Sequence, residues 1–265
     1  MKVLIFDNAE EAAEYISVEI LRALARKPDL VLGLATGSSP LGVYSRLIRA
    51  HRDDGVSFAQ VRTFNLDEYL GLTPKHPQSF ERFMRTHLFD QLDIPAKNVH
   101  FPPTSGRALE SQCARYEESI TSVGGIDVQV LGIGSNGHIG FNEPTSSLVS
   151  RTRIKTLTRK TREDNARFYD DPQAQPQLAV TMGIGTILDA KRIFLQAYGV
   201  KKAAAVHAAI EGPISAFWPA SALQMHPKTS FYLDSQSASL LRLVDYYRRV
   251  QQNDERREQD LDQPR

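Results

Sequence analysis

Short apolar runs alternate along the chain with longer stretches whose apolar residues recur at helical spacing. Val3–Phe6, Leu30–Ala35, Val61–Leu66, Ile126–Leu131, Ile193–Tyr198 and Ser230–Leu233 predict strands. Between them, Ala9–Arg26 predicts a helix with Ala12, Ile16, Ile20, Leu21 and Leu24 turned inward. Further helices are predicted over Leu41–His51, Ser79–Phe89, Ala108–Ser122, Lys201–Glu211 and Ala238–Gln251. Strands and helices taking turns predict an α/β fold: a doubly wound, mostly parallel sheet with helices on both faces. Neither an internal repeat nor a compositional break divides the chain, so residues 1–252 read as a single domain. Asn253–Arg265 is polar and charged, and is expected to be a disordered tail. Ser150–Ala174 is rich in Arg, Lys and Thr and lacks a continuous apolar pattern. Its composition favours a solvated surface excursion, though such a segment can also serve as a flap over a site.

Bulk properties narrow the function by exclusion. Hydrophobic residues make up 41% and charged residues 24% of the 265 positions, ordinary values for a globular protein. A formal net charge of +1 gives no electrostatic case for nucleic acid as a partner. No apolar run is long enough to cross a bilayer, and the N-terminal apolar stretch is too short for a secretory signal. A cytoplasmic location is the expectation. The single cysteine, Cys113, lies in a helical pattern and reads as buried filler.

Gly132-Ile-Gly-Ser-Asn-Gly-His-Ile-Gly-Phe-Asn-Glu-Pro144 changes the picture most. It follows a buried strand and sets His138 and Glu143, five residues apart, among four glycines. Open α/β sheets place ligands outside the carboxyl ends of their strands, where this stretch must lie. Its first six residues satisfy the dinucleotide-binding pattern G-x-G-x-x-G. That pattern should open a helix, whereas Gly140 and Pro144 interrupt one at once. The residues instead suit a proton-handling pair, with Glu143 orienting and charging the His138 imidazole. No second His or Cys stands at ligand spacing from His138, so no metal site is expected.

Two other strand ends carry candidate chemistry. Thr36-Gly-Ser-Ser-Pro40 joins a strand to a helix, and its hydroxyls and N–H groups suit an anion. Alone, it is equally an ordinary capped turn. Asp67 ends the third strand and projects toward the expected crevice, where a carboxylate can act as a general base; capping a turn is its commoner use. Glu68 would alternate to the opposite side in a structural role. Arg167 and Lys202 are basic residues of a kind that pairs with phosphate, although each taken singly reads as a solvated charge.

Taken in order, these segments resemble the glucosamine-6-phosphate deaminase (isomerase) family. The resemblance runs from Leu30 to about Lys228. It includes Asn65-Leu-Asp-Glu-Tyr69, Gly137-His-Ile-Gly-Phe-Asn-Glu-Pro144, Ser150-Arg-Thr-Arg-Ile-Lys-Thr156, Gly183-Ile-Gly-Thr-Ile-Leu-Asp189 and Leu223-Gln-Met-His-Pro-Lys228. It implies conversion of glucosamine 6-phosphate and water to fructose 6-phosphate and ammonia, in amino-sugar catabolism, without metal or organic cofactor. It further implies Asp67 as the base at C2, and His138 with Glu143 acting at the ring oxygen. Thr36, Gly37, Ser38, Arg167 and Lys202 would hold the phosphate. Asn136 stands where the best-known members carry an aspartate, which leaves the His138–Glu143 relay without that charge. Some members are homohexamers activated by N-acetylglucosamine 6-phosphate; Ser146, Arg153, Lys155, Thr156 and Tyr246 match that allosteric site, so a homo-oligomer is expected. The alternatives within reach are a 6-phosphogluconolactonase-like hydrolase and a sugar-phosphate sensor without turnover.

Overall fold

A computed structural model of the chain describes residues 1–165 and 175–262, with the side chains of 164–165 and 258–262 left out of account. The elements run β1 (Lys2–Phe6), α1 (Ala9–Arg26), β2 (Val31–Leu34), α2 (Leu41–Asp54), β3 (Arg62–Asn65), β4 (Asp67–Tyr69), α3 (Phe80–His87), β5 (Val99–His100), α4 (Leu109–Ser122) and β6 (Val128–Leu131). They continue with β7 (Arg153–Thr156), α5 (Arg159–Asn165), β8 (Leu178–Thr181), α6 (Ile184–Leu188), β9 (Ile193–Ala197), α7 (Ala203–Ile210), β10 (Thr229–Asp234) and α8 (Val244–Asp262).

Seven strands form one sheet in the order β1-β10-β9-β6-β2-β3-β5. Every neighbouring pair in it is parallel. Strand alternation divides the core between the two faces. Leu32 and Tyr232 point into one layer with Ile16 and Ile20 of α1, Leu47 of α2 and Met84 of α3. Val31 and Phe231, one residue away along the same strands, point into the other. That second layer holds Ile120 of α4, Ile187 of α6 and Val206 of α7. The sheet is doubly wound, as the alternation of elements predicts. Cys113 is buried in α4. Among the described residues, no helix is long and apolar enough to cross a membrane.

Several findings depart from expectation. β5 joins the large sheet where no strand was predicted, and the closing helix begins at Val244 rather than Ala238. A second, three-stranded sheet, β4-β8-β7, is antiparallel and was not legible as strands. The closing helix also runs to Asp262, through much of the segment expected as a tail. Its contacts explain the extension. Gln251 accepts a hydrogen bond from the Ile5 N–H at 2.9 Å, and Asp254 pairs with Lys2 at 2.8 Å. β1 is an edge strand, and α8 packs along it and takes up the Ile5 N–H.

Candidate active site

β2 and β6 are neighbours, and the chain leaves them in opposite directions across the sheet. From β2 it proceeds to β3 and β5; from β6, to β9 and β10. Such a switch point opens a crevice beyond the strand ends. A cavity of about 880 Å³ lies there. Thr36, Gly37, Ser38 and Ser39, which follow β2, line it beside Gly132–Ser135, which follow β6. Gly37 has φ +94°, a left-handed conformation that glycine adopts at little cost. Pro40 occupies the N-cap of α2 and no side chain caps that helix. The ordinary capped turn is therefore not what this loop makes: the N–H groups of the first turn face no internal side-chain acceptor, an arrangement suited to an anion.

Asp67 reaches the cavity because the chain changes sheets. The Leu66 N–H still bonds Leu34 O at 3.0 Å in the line of the large sheet, while Asp67–Tyr69 pairs with β8, Asp67 lying opposite Thr181. The side chain of Asp67 lines the cavity but is only 6% exposed. Burial, reinforced by the adjacent Glu68 charge and only partly offset by the Phe141 N–H, pushes its carboxyl up to about 8. Glu68 turns the other way, as alternation requires. Its two oxygens accept from Ser79 Oγ and from the N–H groups of Tyr69, Phe80 and Glu81, capping α3.

Beyond β6 the glycine-rich stretch forms a tight loop and opens no helix, so the dinucleotide pattern is not realised. Gly134 and Gly140 each make room for particular neighbours. A Cβ on Gly134 would meet the His138 ring at 2.3 Å; one on Gly140 would meet Thr181 Oγ1 at 2.8 Å and Asp67 Oδ2 at 3.3 Å. The His138 ring lines the cavity. Behind it lies Glu143, 1% exposed, with Oε2 3.6 Å from His138 Nδ1. That separation is long for a hydrogen bond but short enough for strong Coulombic attraction to an imidazolium. Asn136 donates to the same Oε2 at 2.9 Å, and its Oδ1 accepts from the His138 N–H at 3.2 Å. Burial alone would raise the Glu143 carboxyl; His138, Thr161 and Asn136 outweigh it and hold it at about 2.

The remaining expected residues are placed unevenly. Lys202 lines the cavity at the start of α7, together with Gly199 and Lys201. Arg167 lies outside the described residues. Arg153 and Lys155 share one face of β7, and Arg153 donates to Asn142 Oδ1 at 2.9 Å. Ser146 is buried, whereas Thr156 is exposed. Tyr246 belongs to α8, where its ring meets Tyr247. Two further features escaped the sequence reading. Tyr69, Phe80 and Phe141 pack together as an aromatic wall that lines the cavity. Lys160 and Thr161, on α5, line it as well. The aromatic spacing offered no local signal, because the three rings come from a short strand, a helix and a loop.

At the ends of a parallel sheet, one cavity gathers a loop suited to an anion, a buried carboxylate and a carboxylate-backed imidazole, the groups that acid–base chemistry on a small anionic substrate requires. The chain belongs to the family of glucosamine-6-phosphate isomerases and 6-phosphogluconolactonases, whose model matches residues 7–231. It is 55% identical over 251 residues to a glucosamine-6-phosphate deaminase of Hahella chejuensis, covering 95% of this chain and 96% of that one. A deaminase of Cellvibrio japonicus is 50% identical over 256 residues, covering 97% of each. Among solved structures, a monomeric glucosamine-6-phosphate deaminase matches with a TM-score of 0.88 at 43% identity, over 91% of this chain and 100% of that one. A 6-phosphogluconolactonase from Trypanosoma brucei, 20% identical with a TM-score of 0.70 over 91% of this chain and 98% of that one, shares the fold.

Proposed function

We propose that this chain is a glucosamine-6-phosphate deaminase that works by acid–base catalysis without a metal or organic cofactor. The observation that carries the reading is the convergence of Asp67, His138 and the Thr36–Ser38 loop on one cavity. The phosphate sits on Thr36, Gly37 and Ser38 with Lys202, and Arg167 is assigned to it by family resemblance. This anchors the sugar so that its reacting carbons come within reach of Asp67. His138 moves a proton to the ring oxygen as the ring opens, and Glu143 stabilises the imidazolium it starts from. Asp67 takes the proton from C2 as the C1 aldehyde oxygen gains one, and returns it at C1 of the enolamine, leaving a C2 iminium. Water then adds at C2 of the iminium and ammonia leaves, giving fructose 6-phosphate. Asn136 positions both His138 and Glu143 without adding charge. Release of ammonia from glucosamine 6-phosphate, undiminished by a chelator, tests the scheme. Hydrolysis of 6-phosphogluconolactone in its place would support the lactonase alternative, and binding without turnover the sensor.

A second, regulatory reading rests on the basic pair on β7. Burial disfavours the charge on both Arg153 and Lys155, and the Arg153 cation further disfavours that of Lys155, which Glu143 partly offsets. A second sugar phosphate, with the chemistry of N-acetylglucosamine 6-phosphate, would relieve that cost, with Ser146 and Thr156 as hydroxyl contacts. We assign Tyr246 and the homo-oligomer to the same reading on resemblance alone. Sigmoidal kinetics made hyperbolic by the acetylated sugar phosphate, with sedimentation as an oligomer, would support it. Hyperbolic kinetics in a monomer would place this chain with its monomeric relative.

A further inference from the structure

Glu143 is held from two sides. Oε2 faces Asn136 and His138, while Oε1 accepts from the Thr158 N–H at 3.3 Å. The Thr161 hydroxyl hydrogen-bonds the same carboxylate. Thr161 is itself fixed: it is 2% exposed, its Oγ1 accepts from Thr158 Oγ1 at 3.2 Å, and its N–H donates to that same oxygen at 3.2 Å. The segment beneath it is seated independently of Glu143. Leu157 is buried against Tyr69 and Phe141, and its N–H bonds Gln177 O at 2.9 Å.

The terminal torsion of a glutamate is soft, with broad, roughly two-fold wells. Asn136 holds one oxygen, and the Thr158 N–H reaches the other only at 3.3 Å, so rotation about Cγ–Cδ is loosely restrained by these two. A hydroxyl donor as well tightens that hold and keeps one oxygen aimed at the imidazole. We propose that Thr161 is a positioning residue for the reaction, its hydroxyl holding Glu143 in the orientation that faces His138. Thr161 also lines the cavity, so one residue borders the proposed substrate site and braces Glu143. The charged groups that share the field of Glu143 are His138 and, from β7, Lys155. The proposal rests on the deaminase reading for its kinetic consequence but not for its geometry.

Thr161→Val keeps the shape and removes the donor. The expected result is a kcat about ten-fold lower or more, the scale of one hydrogen bond to a charged group. KM should stay within about two-fold, since the lost contact acts on the relay rather than on ground-state binding. Thr161→Ser should restore kcat. A fall in kcat matched by an equal rise in KM, or a serine variant as impaired as the valine, would overturn the proposal. The crystal structure of Thr161→Val, or of Thr161→Ala should valine not fold, decides it without activity. Glu143 Oε2 turned away from His138 supports the positioning role, and an unmoved carboxylate removes it. A parent protein that releases no ammonia defeats the deaminase reading and leaves this structural arm standing.

Discussion

Asn136 Nδ2 lies 2.9 Å from Glu143 Oε2, so the side-chain amide at this position is a donor to the buried carboxylate behind His138. An aspartate at this position would bring two carboxylates together at a buried site, where both cannot stay ionised cheaply. Asn136→Asp should therefore push the Glu143 carboxyl up from about 2, as the new pair shares a proton. The sign follows from like-charge repulsion. The expected outcome is a lower thermal midpoint at neutral pH, recovering as pH falls, with kcat reduced. Thermal melts across pH for parent and variant check it; equal midpoints at every pH would show that the amide donates nothing of consequence.

Asp67 must be ionised to take a proton, and its folded value is about 8. kcat/KM, which reports groups in the free enzyme, should rise as pH climbs through about 8 and lose that limb in Asp67→Asn, along with nearly all turnover. Stability runs the other way. The carboxyl's value is raised above its unfolded one, so its contribution is complete below about pH 4 and is lost as pH rises through the folded value. Asp67→Asn should accordingly melt higher than the parent, by a margin that widens toward alkaline pH. A constant margin would mean that the carboxyl is not held protonated by burial.

Six of the seven strands of the large sheet, the loops after β2 and β6, and the location of Asp67 were legible because short, continuous apolar runs fix where buried strands end; β5, two residues long, has no such run. The second sheet was not. Asp67–Tyr69 and Arg153–Thr156 are too short and too charged to show alternation, and they form strands only because β8 pairs with both. Capping by Glu68 was equally hidden, since its acceptors meet N–H groups more than ten residues away in sequence. The polar end of α8 lacks a core signature because it serves by hydrogen-bonding an edge strand. Local pattern reports what is buried by its own neighbours. These features depend on segments distant along the chain.

Gly134→Ala places a methyl 2.3 Å from the His138 ring, well inside contact distance. The ring must leave its position opposite Glu143. A displacement near 1 Å at a catalytic group costs on the order of 10²-fold in rate. kcat should fall on that scale while the thermal midpoint changes modestly, since the ring can move into the cavity. Unchanged kcat would show that the imidazole position is not demanding.

Lys202→Ala should raise KM on the order of 10- to 100-fold, as expected for losing one charge-assisted contact to phosphate. kcat should change less, because phosphate is held alike in ground and transition states. Steady-state kinetics decide it: an unchanged KM would take Lys202 out of the phosphate site.

Glu68 offers a test of how the site sets the Asp67 carboxyl. Its charge is the second cause, after burial, that raises Asp67. Glu68→Gln removes that charge and should move the acid limb of kcat/KM to lower pH. The variant also disturbs α3. Glutamine has one acceptor oxygen where glutamate offers two, and its amide would face N–H and hydroxyl donors at Ser79, Phe80 and Glu81. Losing these contacts should cost about 1–3 kcal/mol, a fall in the thermal midpoint of several degrees for a chain of this size. Any loosening of α3 would let water nearer Asp67, which lowers its carboxyl too, so both effects carry the same sign. The measurement is kcat/KM against pH, at a temperature where parent and variant are both folded. A limb that stays at about 8 would mean that burial alone sets the Asp67 proton affinity and that the Glu68 charge is fully absorbed by the helix it caps.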